Sequence, residues 1–128
     1  MSAIVSFNSA GVPRMNAYIP QAAIASGLIF VSGMAGLDPA TGKLAEGYEA
    51  QAYQAFRNIK TILQEAGSSM DKVIKTTIFM VAGEDTSFTV INKVYSEFFP
   101  VNPPARSAPQ VMPFPGGILI SVECIALA

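Results

Sequence analysis

Residues 48–67 (YEAQAYQAFRNIKTILQEAG) and residues 73–81 (VIKTTIFMV) decide the fold of this chain. In the first segment, apolar side chains recur at three- and four-residue steps, which is typical of a helix with one apolar face, and Gly67 is placed to cap its C-terminus. The second segment is rich in β-branched residues, which predicts a strand. Together they indicate a helix that packs against a sheet.

The segments on either side extend this pattern. Ser26-Gly27 is a turn-forming pair between two apolar runs and predicts a hairpin. Ser87 is placed to cap a second helix, which ends before the proline-rich residues 100–104. The predicted strands cover residues 4–7, 22–25, 28–32, 73–81, 106–112 and 117–128. We therefore expect a single α+β domain over residues 1–128, with a mixed six-stranded sheet and two helices on one face.

The composition predicts that the uncovered face of this sheet is buried by copies of the same chain. Apolar residues make up 51% of the 128 residues and charged residues only 13%, about half the usual charged share. A monomer with so few charges would leave apolar surface in contact with water. A homo-oligomer is the simplest way to bury that surface.

Several classes of function are disfavoured by what the chain lacks. The net charge of −1 and the scattered cations provide no footprint for nucleic acid. No basic region precedes a long apolar core at the N-terminus, and no apolar run approaches the length of a membrane span. We expect a cytoplasmic protein without nucleic-acid or membrane partners.

The rarest residue types narrow the chemistry further. The absence of histidine excludes Ser-His-Asp and Cys-His machinery and any histidine-based metal site. The single cysteine, Cys124, lies in an apolar run, where a buried structural thiol is expected. The sequence therefore excludes histidine-based and multi-cysteine metal sites.

Arg106, in the segment Pro103-Pro104-Ala105-Arg106-Ser107, is the only cation after Lys93. The two prolines restrict the backbone ahead of it. A guanidinium presented there offers a fork of donors that matches a carboxylate or phosphate. The alternative, which spacing alone slightly favours, is an arginine at the start of a strand that pairs with a surface acid.

Six segments give the chain a resemblance to the reactive-intermediate deaminase family, RidA (also called YjgF), over essentially its whole length. Each is weak alone, but together their order and spacing are specific. They are Phe30-Val31-Ser32-Gly33, Leu37-Asp38-Pro39 with Thr41-Gly42, Glu65-Ala66-Gly67-Ser68-Ser69, Val73-Ile74-Lys75-Thr76-Thr77, Asn92-Lys93-Val94-Tyr95 and Pro104-Ala105-Arg106-Ser107.

The resemblance implies an assembly and a reaction. The assembly is a homotrimer with a central β-barrel (the YjgF/chorismate mutase-like fold), helices outside and sites at the subunit interfaces. The reaction is hydrolysis of reactive 2-enamino and 2-imino acids, such as 2-aminoacrylate, to 2-keto acids and ammonia without cofactor or metal. It also implies that Arg106 holds the carboxylate of a small metabolite, and that Ser32, Gly33 and Asn92 line the pocket. Met34, next to Gly33, is expected to border it.

The last strand departs from the family pattern. Fifteen residues after the motif arginine, where the family has a glutamate that positions or activates the attacking water, this chain has Ser121. Glu123 matches a second acidic position of the family's C-terminal strand. Because side chains alternate with a period of two, Glu123 faces the same side of the strand as Ser121 and lies about 6–7 Å further along. A serine can hydrogen-bond a water but cannot act as a base near neutral pH without a partner. Ser121 and Glu123 therefore join Arg106 as candidate catalytic residues.

The N-terminal segment also departs from the family pattern. Where the family has Pro-Tyr-Ser-Gln-Ala, the chain reads Ala17-Tyr18-Ile19-Pro20-Gln21-Ala22. Registered on the Gln-Ala pair, the family tyrosine falls on Ile19, so Tyr18 is one residue away from the matching position. Tyr18 is retained as a candidate substrate-binding residue.

Three functions remain open at this point. The first is a RidA-like deaminase that uses Arg106 as its carboxylate clamp. The second is a non-catalytic protein that binds or senses a small carboxylated metabolite, which the loss of the glutamate favours. The third is a related hydrolytic or isomerising enzyme that acts on another carboxylated substrate. A ribonuclease, a label that some family members carry, is disfavoured because the chain has no basic stripe, no histidine and no aromatic stacking set.

Overall fold

The computed structural model describes residues 3–128, in which one mixed sheet is covered on one side by two helices. The strands are β1 (Val5–Phe7), β2 (Ala22–Ala25), β3 (Leu28–Met34), β4 (Val73–Val81), β5 (Ala105–Ser107), β6 (Gln110–Val111) and β7 (Ile120–Leu127). The helices are α1 (Tyr48–Glu65) and α2 (Thr89–Phe98). Within residues 3–128, neither helix has the length and apolar character needed to cross a membrane.

The sheet has the order β1-β2-β3-β7-β4-β5, and β6 continues along β4 beyond β5. β5 and β6 run parallel to β4, whereas the other neighbours are antiparallel, so the sheet is mixed as predicted. The single strand predicted over residues 106–112 is instead two short strands. Pro109 interrupts it, since proline has no amide hydrogen to donate, although its carbonyl still accepts from the Met80 amide at 3.1 Å. Seven strands therefore occupy six positions in the sheet.

Alternation along β7 assigns the two faces of the sheet. Ile120, Val122, Cys124 and Ala126 are buried in the core with the helices, whereas Ser121, Glu123, Ile125 and Leu127 point to the opposite side. Phe30 of β3, which pairs with Ile125, is 43% exposed on that opposite side. The second face, called the open face below, is therefore partly apolar and uncovered in a single chain.

The C-terminus of α1 is built as predicted. Gly67 has φ +88°, the left-handed conformation that glycine adopts without a steric penalty. Its amide donates to Gln64 O at 3.1 Å, and the Ser68 amide donates to Leu63 O at 2.7 Å. These two bonds satisfy carbonyls that the last helical turn would otherwise leave free.

The N-terminus of α2 is built differently, and Ser87 is not its cap. The Ser87 hydroxyl pairs with that of Thr89. Asp85 takes the capping role: it is buried, and its carboxylate accepts from the amides of Val90 (3.2 Å) and Ile91 (2.8 Å). It also accepts from the Tyr48 hydroxyl at 3.0 Å, which links the beginnings of the two helices.

Replacing Asp85 is therefore expected to destabilise the chain far more than replacing Ser87. Asp85→Ala removes the acceptor of three hydrogen bonds and should cost about 3 kcal/mol of unfolding free energy. Ser87→Ala should change it by less than about 0.5 kcal/mol. Urea unfolding followed by circular dichroism measures both. Equal losses for the two variants would contradict the assignment of the cap.

Candidate functional site

The candidate site residues fall into two groups that the sheet separates. The Arg106 group lies at the β5 edge, and the Ser32–Ser121 group consists of Ser32, Gly33, Met34, Ser121 and Glu123. Arg106 lies on β5 and is paired in register with Thr76 of β4. Thr76 is buried on the helix-covered side, and the Arg106 guanidinium carbon lies 5.0 Å from the centroid of the Tyr95 ring on α2. The Arg106 side chain therefore lies on the helix side of the sheet edge.

Arg106 has no carboxylate partner between residues 3 and 128. The ion pair found in that part of the chain joins Lys93 to Glu49 at 3.3 Å, on the outer surface of the helices. The hypothesis that Arg106 pairs with a surface acid is therefore wrong within these residues. Its half-buried guanidinium carries a positive charge that no neighbouring carboxylate neutralises.

The second group surrounds a cavity of about 160 Å³ between β3 and the segment before β2. Ser32, Gly33 and Met34 line it together. The Ser32 hydroxyl donates to Pro20 O at 2.7 Å, so its lone pairs remain available to a ligand. The other lining residues are Met15, Asn16, Ile19, Pro20 and Gln21.

A bulge in β3 shapes the rim of this cavity. Val31 pairs with Cys124 and Met34 with Val122, so Ser32 and Gly33 together face Glu123. A bulge of this kind is a common device beside functional sites, since it redirects a side chain and interrupts the ladder.

Ser121 and Glu123 both lie on the open face near this bulge. A Cβ atom added to Gly33 would come within 2.8 Å of the Ser121 Oγ, so Ser121 borders the space that the glycine leaves free. Glu123 is exposed and pairs in register with Thr77. The expectation that the two side chains share one side of the strand is confirmed.

Tyr18 and Asn92 are less directly placed. Tyr18 is 94% exposed and does not line the cavity, whereas its neighbour Ile19 does. Asn92 is exposed on α2, one turn before Tyr95. In a single chain neither side chain approaches the Ser32–Gly33 cavity.

The two groups do not meet within one copy of the chain. β7 and β4 lie between β3 and β5, and neighbouring strands are about 4.8 Å apart. Arg106 also lies on the helix side, whereas Ser121 lies on the open side. One small ligand therefore cannot contact both groups within a single copy of the chain.

Two residues that order this region did not stand out in the sequence as site residues. Gln21 is buried, and its side chain accepts from the Ser9 amide at 2.7 Å and donates to Val12 O at 2.9 Å. Asn16 accepts from the amides of Tyr18 and Ile19, at 2.9 and 3.1 Å. A glutamine next to an apolar strand was the available signal for Gln21, since a buried amide must be hydrogen-bonded.

Burial makes two further ionisable groups, the Cys124 thiol and the Tyr48 hydroxyl, less reactive. Cys124 is only 4% exposed, and burial raises the pKa of its thiol to about 12, so the thiol stays protonated near neutral pH, as expected of a structural cysteine. Burial, followed by the hydrogen bond to Asp85, also raises the pKa of Tyr48. Among residues 3–128, no three histidine, cysteine, aspartate or glutamate side chains lie close enough to hold a metal ion.

Comparisons with known proteins agree with this architecture. A family model described as Endoribonuclease L-PSP matches residues 11–128. The chain is 41% identical over 107 residues to Reactive Intermediate Deaminase A, chloroplastic, of Arabidopsis thaliana, a match that covers 83% of this chain and 56% of that protein. It therefore spans little more than half of that relative.

Two further proteins align over more of their length. The chain is 38% identical over 108 residues to the 2-iminobutanoate/2-iminopropanoate deaminase of Homo sapiens, covering 84% of this chain and 77% of the human protein. The crystal structure of RidA from the Antarctic bacterium Psychrobacter superposes with a TM-score of 0.86 at 34% identity, covering 92% of this chain and 94% of that one.

Proposed function

This chain belongs to the Endoribonuclease L-PSP family, which includes RidA and YjgF, and from that premise we propose that it is an imine and enamine deaminase. Its substrates are small 2-imino and 2-enamino acids, and its products are 2-keto acids and ammonia. The observation that carries the proposal is the half-buried guanidinium of Arg106, which has no carboxylate partner between residues 3 and 128. A substrate carboxylate is the natural counter-ion for such a group.

The reaction requires few catalytic groups from the protein. An enamine first becomes the imine by gaining a proton at C3 and losing one from its nitrogen. Water then adds to C2 while the imine nitrogen takes a proton, and the resulting amino alcohol loses ammonia to leave the keto group. Imines hydrolyse readily in water, so holding the carboxylate and a water in the correct geometry supplies most of the catalysis. Ser121 is suited to orient the water, and Glu123 is the nearest carboxylate along β7.

The active site is completed by a neighbouring copy of the chain. The Arg106 group and the Ser32–Ser121 group lie on different sides of one sheet, so each needs the complementary group from another copy. The open face also exposes apolar side chains that a partner would bury, among them Phe30 (43% exposed) and Leu127 (50% exposed). We infer a homotrimer in which the open faces form a central barrel.

The assembly is tested by sedimentation equilibrium. The 13.5 kDa chain is expected to sediment as a trimer of about 40 kDa at micromolar concentration. Ile125→Glu places a charge on the open face and should yield monomers, whereas Gln64→Glu adds the same charge on the exposed side of α1 and should leave the trimer intact. A monomeric wild-type protein would refute the interface.

Arg106→Ala is expected to lower kcat/KM for 2-iminobutanoate by about a hundredfold, since a charged hydrogen-bond pair is lost. The assay follows 2-ketobutyrate appearing from freshly generated imine above the buffer rate. Arg57→Ala is the matched control, because Arg57 also lies over a tyrosine ring, 5.5 Å from the centroid of Tyr53, but on the exposed surface of α1. A wild-type rate equal to buffer, with no effect of Arg106→Ala, would exclude deamination of this substrate.

A second candidate function is non-catalytic binding of a small 2-keto or 2-imino acid. The observation that favours it is Ser121, which borders the Gly33 space with a hydroxyl where the family resemblance implies a carboxylate. Saturable binding of 2-ketobutyrate without turnover of the imine, abolished by Arg106→Ala, would select this function over the deaminase.

Ser121→Glu separates the two functions further. The Ser121 side chain lies on the open face beside Gly33, which has no side chain of its own to contact it. A carboxylate there should raise kcat at least about tenfold if water activation limits the rate, since a well-positioned general base typically contributes about a hundredfold to ten-thousandfold. Ser121→Gln, which has nearly the same shape but no basicity, should give no such gain. Equal gains from both variants would show that packing, and not proton transfer, is responsible.

Cleavage of RNA, which the family description names, fits the chain less well. With no histidine and a net charge of −1, the chain lacks the usual general base and the positive surface that RNA backbones attract. We therefore propose a small carboxylated metabolite, and not a nucleic acid, as the partner of the site.

A further inference from the structure

The Arg106 guanidinium lies over the ring of Tyr95. The guanidinium carbon lies 5.0 Å from the ring centroid, within the range of a cation–π contact. Tyr95 is only 7% exposed, so the contact is largely shielded from water. Contacts of this kind become stronger when water is excluded.

The Tyr95 hydroxyl is hydrogen-bonded to two residues that neighbour Arg106. The hydroxyl is 2.9 Å from the Thr76 Oγ1 and 3.3 Å from the Pro104 carbonyl, to which it donates. Thr76 is the register partner of Arg106, and Pro104 lies two residues before it. One phenol therefore joins the strand beside the arginine to the segment that leads into it.

The contact with Tyr95 leaves the N–H donors of the guanidinium without a carboxylate partner among residues 3–128. An arginine has five such donors in a fixed fork, which matches a carboxylate. A carboxylate that binds there would meet a cation whose position the ring already restricts, so less freedom is lost on binding.

We propose that Tyr95 is a positioning residue that holds the Arg106 guanidinium in place over its ring, so that the N–H donors of the guanidinium are available to a substrate carboxylate. This inference rests on the proposed function, since it assumes that Arg106 binds the carboxylate. Tyr95 touches neither the substrate nor the reacting atoms, and acts through Arg106 alone.

The test compares two Tyr95 variants with a matched control. Tyr95→Leu removes the ring and should raise KM for 2-iminobutanoate about tenfold with kcat within about twofold, because carboxylate binding is lost equally in ground and transition states. Tyr95→Phe keeps the ring without its hydroxyl and should restore most of the affinity. Phe99→Leu is the control, since Phe99 is also a buried aromatic in the same cluster, 4.7 Å from Tyr95 between ring centroids, but it pairs with Phe56 and Tyr95 and not with Arg106.

A double-mutant cycle distinguishes positioning from general packing. In an Arg106→Ala background, Tyr95→Leu should have no further effect on the affinity for 2-ketobutyrate, measured by calorimetry, because the residue through which it acts is gone. Binding of 2-oxobutanamide, which has no negative charge, should be unchanged by Tyr95→Leu alone. Additive effects in the cycle, or equal losses for Phe99→Leu, would overturn the proposal.

The calorimetric measurement distinguishes a failure of the deaminase proposal from a failure of the Tyr95 proposal. If the wild-type protein binds 2-ketobutyrate but hydrolyses no imine, the deaminase function fails while the cycle still tests Tyr95. If imine is hydrolysed and Arg106→Ala abolishes it, but Tyr95→Leu leaves KM unchanged, the deaminase function stands and the positioning role of Tyr95 is refuted.

Discussion

The antiparallel pairing of β4 with β7 is the interaction on which the rest of the structure depends. It runs from Val73 opposite Ala126 to Met80 opposite Ile120, and joins segments that lie far apart in the chain. β3 adds to the free side of β7, while β5 and β6 add to the free side of β4. Because side chains alternate along both strands, this pairing decides which residues enter the core and which face outward.

The local elements were predictable because their signals are local. The apolar stripe of α1, the glycine at its end and the Ser26-Gly27 turn each depend on residues within a few positions of one another. The α2 cap was missed because Asp85 reaches over an intervening left-handed Phe88, so its amide partners lie five and six residues ahead. The break between β5 and β6 follows from Pro109, although the sequence pattern predicts one continuous strand over residues 106–112.

The sequence analysis identified three residues that line one cavity, Ser32, Gly33 and Met34, but not the arrangement of the candidate site. The motifs pointed to Ser32, Gly33 and Arg106, and a period of two placed Ser121 and Glu123 on one side of β7. Which side Arg106 takes depends on its pairing with Thr76, a contact between distant segments that no local pattern encodes. The sequence singles out Tyr95 only as part of a family motif, since its importance comes from three contacts made by the folded chain.

The division of the site by its own sheet has a consequence for mixed populations of chains. In the proposed assembly, each pocket draws Arg106 from one copy and Ser121 from the next. A copy damaged at the first position and a copy damaged at the second would therefore still form one intact pocket where their sound halves adjoin. Two inactive alleles of such a protein would complement each other, and a single damaged copy would spoil only the pocket to which it contributes the affected half.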